Sequence, residues 1–403
     1  MKRCIMWCAL TLSVLGIVFF IVPNSTWNDV QLGWPQPGPA QVVSVSEDGR
    51  WVVSSHADNR IVLWDVEERR SEVVSDDGNA YSAYFISGHD AFLWQGLDGV
   101  VRIQDVQGGV IDRFKHLPVY GHVIGSDLET YISADEEYRI YRNWGEDKSV
   151  VKYDDDRPAF LGSLLNLVVL EQSGYLLSIG HGSDLDKRPI EADNPKGRNA
   201  YGGLAYDGPV LWNLSTWEPL VKFHGLYGKA HGDLSPDGEY VVAADERGIA
   251  RVWETATGQE RWLLASYNFG LRRHTEGGDI ERDDSGLIDL PDGWRTLPEE
   301  NVGVQFVADE WFVRVPKGHP YAALYHIDSP WHQAFFDLGD DPPPATDRYI
   351  PSVDATPEAH VLVTGQRYPH GGINVYRFDP ETQALETVWR PRGWLRWLQW
   401  LDR

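Results

Sequence analysis

Cysteine is almost missing from this 403-residue chain: Cys4 and Cys8 are the two copies, both in an uncharged N-terminal run. The rest of the sequence therefore folds without disulfides and without thiolate metal ligands. Lysine is scarce as well, nine of the 36 basic residues, which points to a GC-rich and salt-adapted bacterial source. Positive charge is in deficit overall, with a formal net charge of −24. With Lys2 and Arg3 of the N-terminal run set aside, 34 bases face 60 acids, or −26. Such a surface repels phosphate backbones, which excludes nucleic acid as a partner and leaves a protein partner as the expectation. Nucleophile elbow, Gly-rich phosphate loop, zinc-spaced histidine pair and EF-hand loop are also lacking. The expectation is a non-enzymatic protein with no catalytic residues, no cofactor and no metal.

What the N-terminus does have is a long apolar run. Residues 4–22, CIMWCALTLSVLGIVFFIV, carry no charge. At ~1.5 Å rise per residue a helix of that length covers roughly 28 Å, close to the hydrocarbon thickness of a bilayer. Lys2 and Arg3 precede it and Asp29 is the first charge after it. The positive-inside rule then keeps the N-terminus cytoplasmic and sends the remainder across. The expected address is a bacterial inner membrane, crossed once, with the body of the chain in the periplasm. A cleaved signal peptide and a lipoprotein are the alternatives. VPNSTW (22–27) offers no small-x-small cut site, and Ile5, Met6 and Trp7 before Cys8 do not form a lipidation box.

Beyond residue 39 one pattern dominates. Seven short β-branched runs carry an aromatic or polar residue at one place: Trp64, Gln104, Tyr141, Trp212, Trp253, Tyr325 and Tyr376. The steps between them are 40, 37, 71, 41, 72 and 51 residues. A unit of about 40 residues, each with room for four strands, is the mark of a β-propeller. The first unit reads as strands at 40–46, 51–55, 61–66 and 71–74 with a turn at Asp48-Gly49. The expected fold is all-β, a seven-bladed propeller of four-stranded antiparallel blades preceded by one transmembrane helix. Its parts are an anchor (1–26), a linker (27–39), the propeller (40–390) and a Trp/Arg-rich tail (391–403). The aromatics Trp64, Tyr141, Trp212, Trp253, Tyr325 and Tyr376 are expected to pack between blades.

SHADNRIVLWDV (55–66) and LSPDGEYVVAADERGIARVWETATGQE (234–260) resemble the repeat of the WD-repeat propellers, with its SPDG turn and third-strand tryptophan. The resemblance extends over about 40–390, strongest in repeats one and five and weakest in three and six. A Trp-Asp pair occurs in repeat one, and the family's Gly-His is reversed at His224-Gly225. Glu246 and Arg247 stand where repeat five would need the aspartate of the family's buried Asp–His–Ser/Thr–Trp network. The resemblance implies a divergent member whose partners do not carry over.

Four expansions interrupt the repeats, at 182–207, 268–300, 337–349 and 365–372. Each falls between second and third strands or between one blade and the next, so all four should open on one face. Loops of that length in a compact domain point to recognition. Candidate binding residues there are His181, Asp184, Asp186, Arg188, Arg272, Arg273, His274, Trp294, Tyr349 and His370. Asp184, Asp186, Glu191 and Asp193 lack the spacing and central glycine of a calcium loop. A His–Arg–Asp cluster at the central opening would instead suit a propeller hydrolase or lyase, the alternative reading.

The tail WRPRGWLRWLQWLDR (389–403) holds four tryptophans and four arginines. It either packs on the propeller, closing the ring, or lies at a membrane surface, which makes a lipid-contacting envelope-assembly factor a third reading. The favoured function is a membrane-anchored periplasmic scaffold for another protein.

Overall fold

In the computed structural model, the described residues are 40–75, 80–96, 98–115, 122–128, 131–134, 140–142, 149–150, 166–179, 181–182, 209–226, 228–245, 250–264, 272–274, 280–282, 301–316, 321–329, 332–337, 352–365 and 372–390. They form an all-β propeller. Each sheet is an antiparallel meander whose strands follow in chain order from the innermost outward. The first spans Ala40–Val45, Trp51–His56, Ile61–Asp65 and Arg70–Ser75. The second and third strands are buried almost throughout, because a blade is covered on both sides by its neighbours, whereas the outermost, Arg70–Ser75, is largely exposed.

The expectation of seven four-stranded blades needs correction. Six sheets are four-stranded and the fifth in chain order has five strands; a two-stranded ribbon, Arg272–His274 with Ile280–Arg282, stands apart. The additional strand is His181–Gly182, which pairs with Lys229 and Gly228 at the start of the fifth sheet's first strand. The second strand of the fourth sheet accordingly ends at Ile179 rather than at His181. After that strand the chain leaves its own sheet and satisfies backbone groups on the next one.

Apolar clusters join each sheet to the next around the ring. Val53 and Leu63 meet Ala83 and Phe92 between the first and second sheets, and Leu93 and Ile103 meet Ile124 and Tyr131 between the second and third. Ile132 and Ile140 meet Leu176 and Trp212; Leu177 and Leu211 meet Leu234 and Trp253. Val242 and Val252 then meet Phe306 and Tyr325, and Val313 and Leu324 meet Leu362 and Tyr376. Val363, Val375 and Trp389 of the last sheet meet Val45 and Trp64 of the first, which closes the ring. Trp64, Trp212, Trp253, Tyr325 and Tyr376 are all buried, each facing the preceding sheet. Tyr141 lies on the third strand of the third sheet, Ile140–Arg142.

A belt of hydrogen bonds runs through the turns after the first strands. Thr356 Oγ1 donates to the Glu47 carbonyl at 2.8 Å, and Glu47 Oε2 accepts from Gly88 N at 2.8 Å. His89 Nε2 bonds the Ser126 carbonyl at 2.6 Å, and Glu171 Oε1 accepts from Ser126 N at 2.6 Å. Gly238 continues the belt by close approach: at φ +74° it lies where a Cβ would stand 2.9 Å from Ser173 Oγ. His360 Nδ1 meets the Val307 carbonyl at 3.1 Å.

The turns between first and second strands are short, whereas the segments 183–208, 283–300 and 338–351 lie outside the described residues. Among the described residues no helix is long and apolar enough to cross a membrane. The run 4–22, the linker and the tail lie outside the described residues.

Candidate functional site

Two polar systems are built into the ring, one between the strands of a sheet and one between sheets. The first begins at the third-strand aromatic. In the first sheet Trp64 Nε1 donates to Ser54 Oγ at 2.7 Å, and Ser54 Oγ bonds His56 Nε2 at 2.7 Å. All three residues are fully buried. The fourth sheet repeats the core of this, with Trp212 Nε1 donating to Ser178 Oγ at 2.8 Å. The second sheet inverts it. Trp94 occupies the register position of Ser54, Gln104 occupies that of Trp64, and Trp94 Nε1 donates to Gln104 Oε1 at 3.2 Å. In the fifth and sixth sheets the same position holds Ala243 and Arg314, so no hydroxyl is offered there. A buried indole N–H without an acceptor is costly, which accounts for Ser54 beside Trp64, Ser178 beside Trp212 and Gln104 beside the moved Trp94; the buried Trp253 of the fifth sheet has Ala243 at that position.

The Trp-Asp pair of repeat one has its own role. Asp65 is buried and takes Arg50 Nη2 and Arg70 Nη2, each at 3.3 Å. Burial by itself would raise its pKa. The Glu68 N–H and the two guanidinium groups outweigh that and hold the carboxyl below its usual range.

The second system lies on the innermost strands. One position there reaches forward to the next sheet. Ser44 Oγ accepts from Phe85 N at 3.1 Å, Asp233 Oδ2 from Phe306 N at 2.8 Å, and Asp354 Oδ2 from Val45 N at 2.9 Å. Phe85, Phe306 and Val45 are themselves equivalent by register, each opposite the first or second residue of its sheet's second strand. Asp233 also accepts from Leu234 N at 2.9 Å. Asp354 also takes the Ser44 hydroxyl and the Ala355 N–H, so one hydrogen-bonded chain runs from the seventh sheet through the first to the second. A further clasp, Ser352 Oγ accepting from Val43 N at 3.1 Å, doubles the closing seam.

Electrostatics sets these carboxylates apart. Burial pushes Asp233 up to about 7, with Asp354 and Glu358 adding to the rise and the Phe306 and Leu234 N–H groups opposing it. Burial likewise pushes Asp354 up to about 6 against its own hydrogen bonds. Tyr84, at the Ser44 position of the second sheet, is pushed up to about 12 by burial and by the charge of Asp354. Chemically the inner wall can hold or release a proton near neutrality.

The sequence candidates are placed differently. His181 sits beside Lys229 at the innermost edge of the fifth sheet. Arg272, Arg273 and His274 form one strand of the ribbon that follows the fifth sheet's outermost strand, Glu260–Leu264. Among the described residues no strand pairing joins His181 to the Arg272–His274 strand. Asp184, Asp186, Arg188, Trp294, Tyr349 and His370 lie outside the described residues. Among the described residues no group of three or more His, Cys, Asp or Glu is arranged to hold a metal.

Sequence reading missed Ser44, Tyr84, Asp233 and Asp354. The signal was present: SED, SPD and TPE at 46–48, 235–237 and 356–358 align the turns, and the residue two places earlier is Ser44, Asp233 or Asp354.

Residues 36–65 fit the model described as WD domain, G-beta repeat. No curated protein matches the chain. The matched stretch contains the Ser54–His56–Trp64 network and the Asp65 pair, and with the ring of sheets it supports a WD-repeat β-propeller.

Proposed function

We propose that this protein is a scaffold that binds another protein, acting by presentation rather than catalysis. It would be held at a bacterial inner membrane by residues 4–22, with the ring on the periplasmic side. The observation that carries it is the closed ring itself: buried clusters at every seam fix the positions from which the connections emerge. Rigid mounting means that little conformational entropy is lost when a partner docks. The docking face is the one that receives 180–209, 265–300, 338–352 and 366–372, because every long connection falls on that side of the strand order. The strongly acidic body favours a partner with a basic surface.

The test is site-specific photo-crosslinking in the full-length protein within its native envelope. A photoreactive residue within 283–300 or at Tyr349 is expected to give a discrete protein adduct. The same residue at Glu68 or Thr257, in turns of the opposite side, is expected to give none. Adducts from the turn side alone would contradict the proposed face. Accessibility of the ring to a membrane-impermeant reagent in intact cells would contradict the topology if the ring reacted only after lysis of the inner membrane.

A further inference from the structure

The outermost strand of the first sheet, Arg70–Ser75, carries no further strand on its outer side among the described residues. An open edge of this kind leaves backbone N–H and C=O groups unpaired and invites other chains, so folded proteins cover or blunt it. One flank of this edge is also apolar. Val73 is 42 % exposed. It lies opposite Val62, a member of the cluster that faces the seventh sheet, so Val73 is turned to the seventh-sheet side. Three exposed acids border the strand, Glu67 and Glu68 in the turn before it and Glu72 within it.

The last described residues of the chain arrive at this edge. Arg69 Nη2 donates to the Val388 carbonyl at 3.4 Å, and Trp389 packs on Trp64. Trp389 is 4 % exposed, and its indole Nε1 has no hydrogen-bond partner. At the register-equivalent place in the fifth sheet, Trp262 Nε1 donates to the Ile327 carbonyl at 2.7 Å. A buried donor left unmet is costly, so the closing seam lacks an acceptor that its counterpart has. After Arg390 come the 13 residues 391–403, with Trp394, Trp397 and Trp400, and with Arg392, Arg396 and Arg403 against Asp402. Extended, that length spans up to roughly 44 Å, about twice a six-residue strand.

We propose that residues 391–403 dock within their own chain on the seventh-sheet side of Arg70–Ser75, with tryptophan over Val73, a backbone carbonyl at the Trp389 N–H and arginine against Glu67, Glu68 and Glu72. Indole rings cover the exposed apolar flank, and the charges are of opposite sign. The tail is then a strap across the closing seam that blunts the first sheet's edge. Held this way it is not free for a lipid surface or for a second copy. The inference does not depend on which partner the ring binds.

Photo-crosslinking in the full-length protein in cells tests it. Val73 is exposed, so a photoreactive residue is tolerated there. It is expected to give an adduct within one chain that maps to 391–403 by mass spectrometry. The same residue at Val110, 61 % exposed on the outer strand of the second sheet, is expected to give no such adduct. Arg392→Glu with Arg396→Glu should lower the Val73 yield roughly threefold, the scale of one or two exposed ion pairs. Glu67→Lys, Glu68→Lys and Glu72→Lys added to that variant should restore it. An adduct from Val73 to lipid, to a second copy or to no part of the tail would overturn the proposal. So would equal adducts from Val73 and Val110, a yield that the arginine changes leave unaltered, or one that the lysine changes leave low.

Discussion

The first and third sheets share one meander but differ in what holds their third strands. Among the described residues these are Ile61–Asp65 and Ile140–Arg142. The first sheet anchors its third strand with a buried tryptophan whose N–H, serine and histidine are mutually satisfied. Across the closing seam that tryptophan meets Trp389 edge-on, with centroids 5.9 Å apart. The third sheet is gripped by its neighbours instead. Tyr131 meets Phe114 of the second sheet edge-on at 5.2 Å, and Ile132 and Ile140 pack under Trp212 of the fourth. A blade with a strong internal signal organises its seams, and a blade with a weak one is organised by them.

That contrast can be broken. Trp64→Ala removes one of the two tryptophans of the closing seam and strands the Ser54–His56 pair, and should cost about 4 kcal/mol by chemical denaturation. The same cut in the third sheet, Ile132→Ala, should cost less, about 2 kcal/mol, because the smaller side chain leaves a smaller cavity. Equal losses would mean that the sheets do not differ in the way described. Ser54→Ala sharpens the point within the first sheet. It keeps the packing and leaves the Trp64 N–H and His56 without their shared partner, for an expected cost of 1–2 kcal/mol, about that of a buried polar group left unsatisfied. Ala243 already holds that place in the fifth sheet, so a neutral Ser54→Ala would show that the network is dispensable.

The same comparison explains what could be read in advance. Third strands were legible because a β-branched run ending in a large aromatic is a local pattern, and the first and fifth repeats add Asp-Gly turns. Gly49 shows why that turn is constrained. It sits at φ +71°, and a Cβ there would stand 2.7 Å from Val361 Cγ2 of the seventh sheet. Sheet membership was less legible. His181–Gly182 reads as the end of a second strand, and only the tertiary pairing with Gly228 and Lys229 assigns it to the fifth sheet. The inversion of Trp94 and Gln104 hid the second sheet's polar pair, since periodicity locates a position and not the strand that fills it. Least legible were Asp233 and Asp354. Their partners are backbone N–H groups distant in sequence on the next sheet, and no spacing rule marks such a contact. That His181 belongs to the fifth sheet while Arg272–His274 forms a ribbon of its own was not recognisable, because both pairings are made only in the folded chain.

Closure of the ring between its last and first sheets underlies all of this, and the near absence of cysteine makes it directly measurable. A Cβ at Gly365 would stand 3.0 Å from Ala40 Cβ across that seam. In a background with Cys4→Ser and Cys8→Ser, Ala40→Cys with Gly365→Cys should form an intramolecular disulfide under mild oxidation, seen as a reductant-sensitive shift in electrophoretic mobility. Free thiols at both positions in the folded, oxidised protein would contradict a closed propeller.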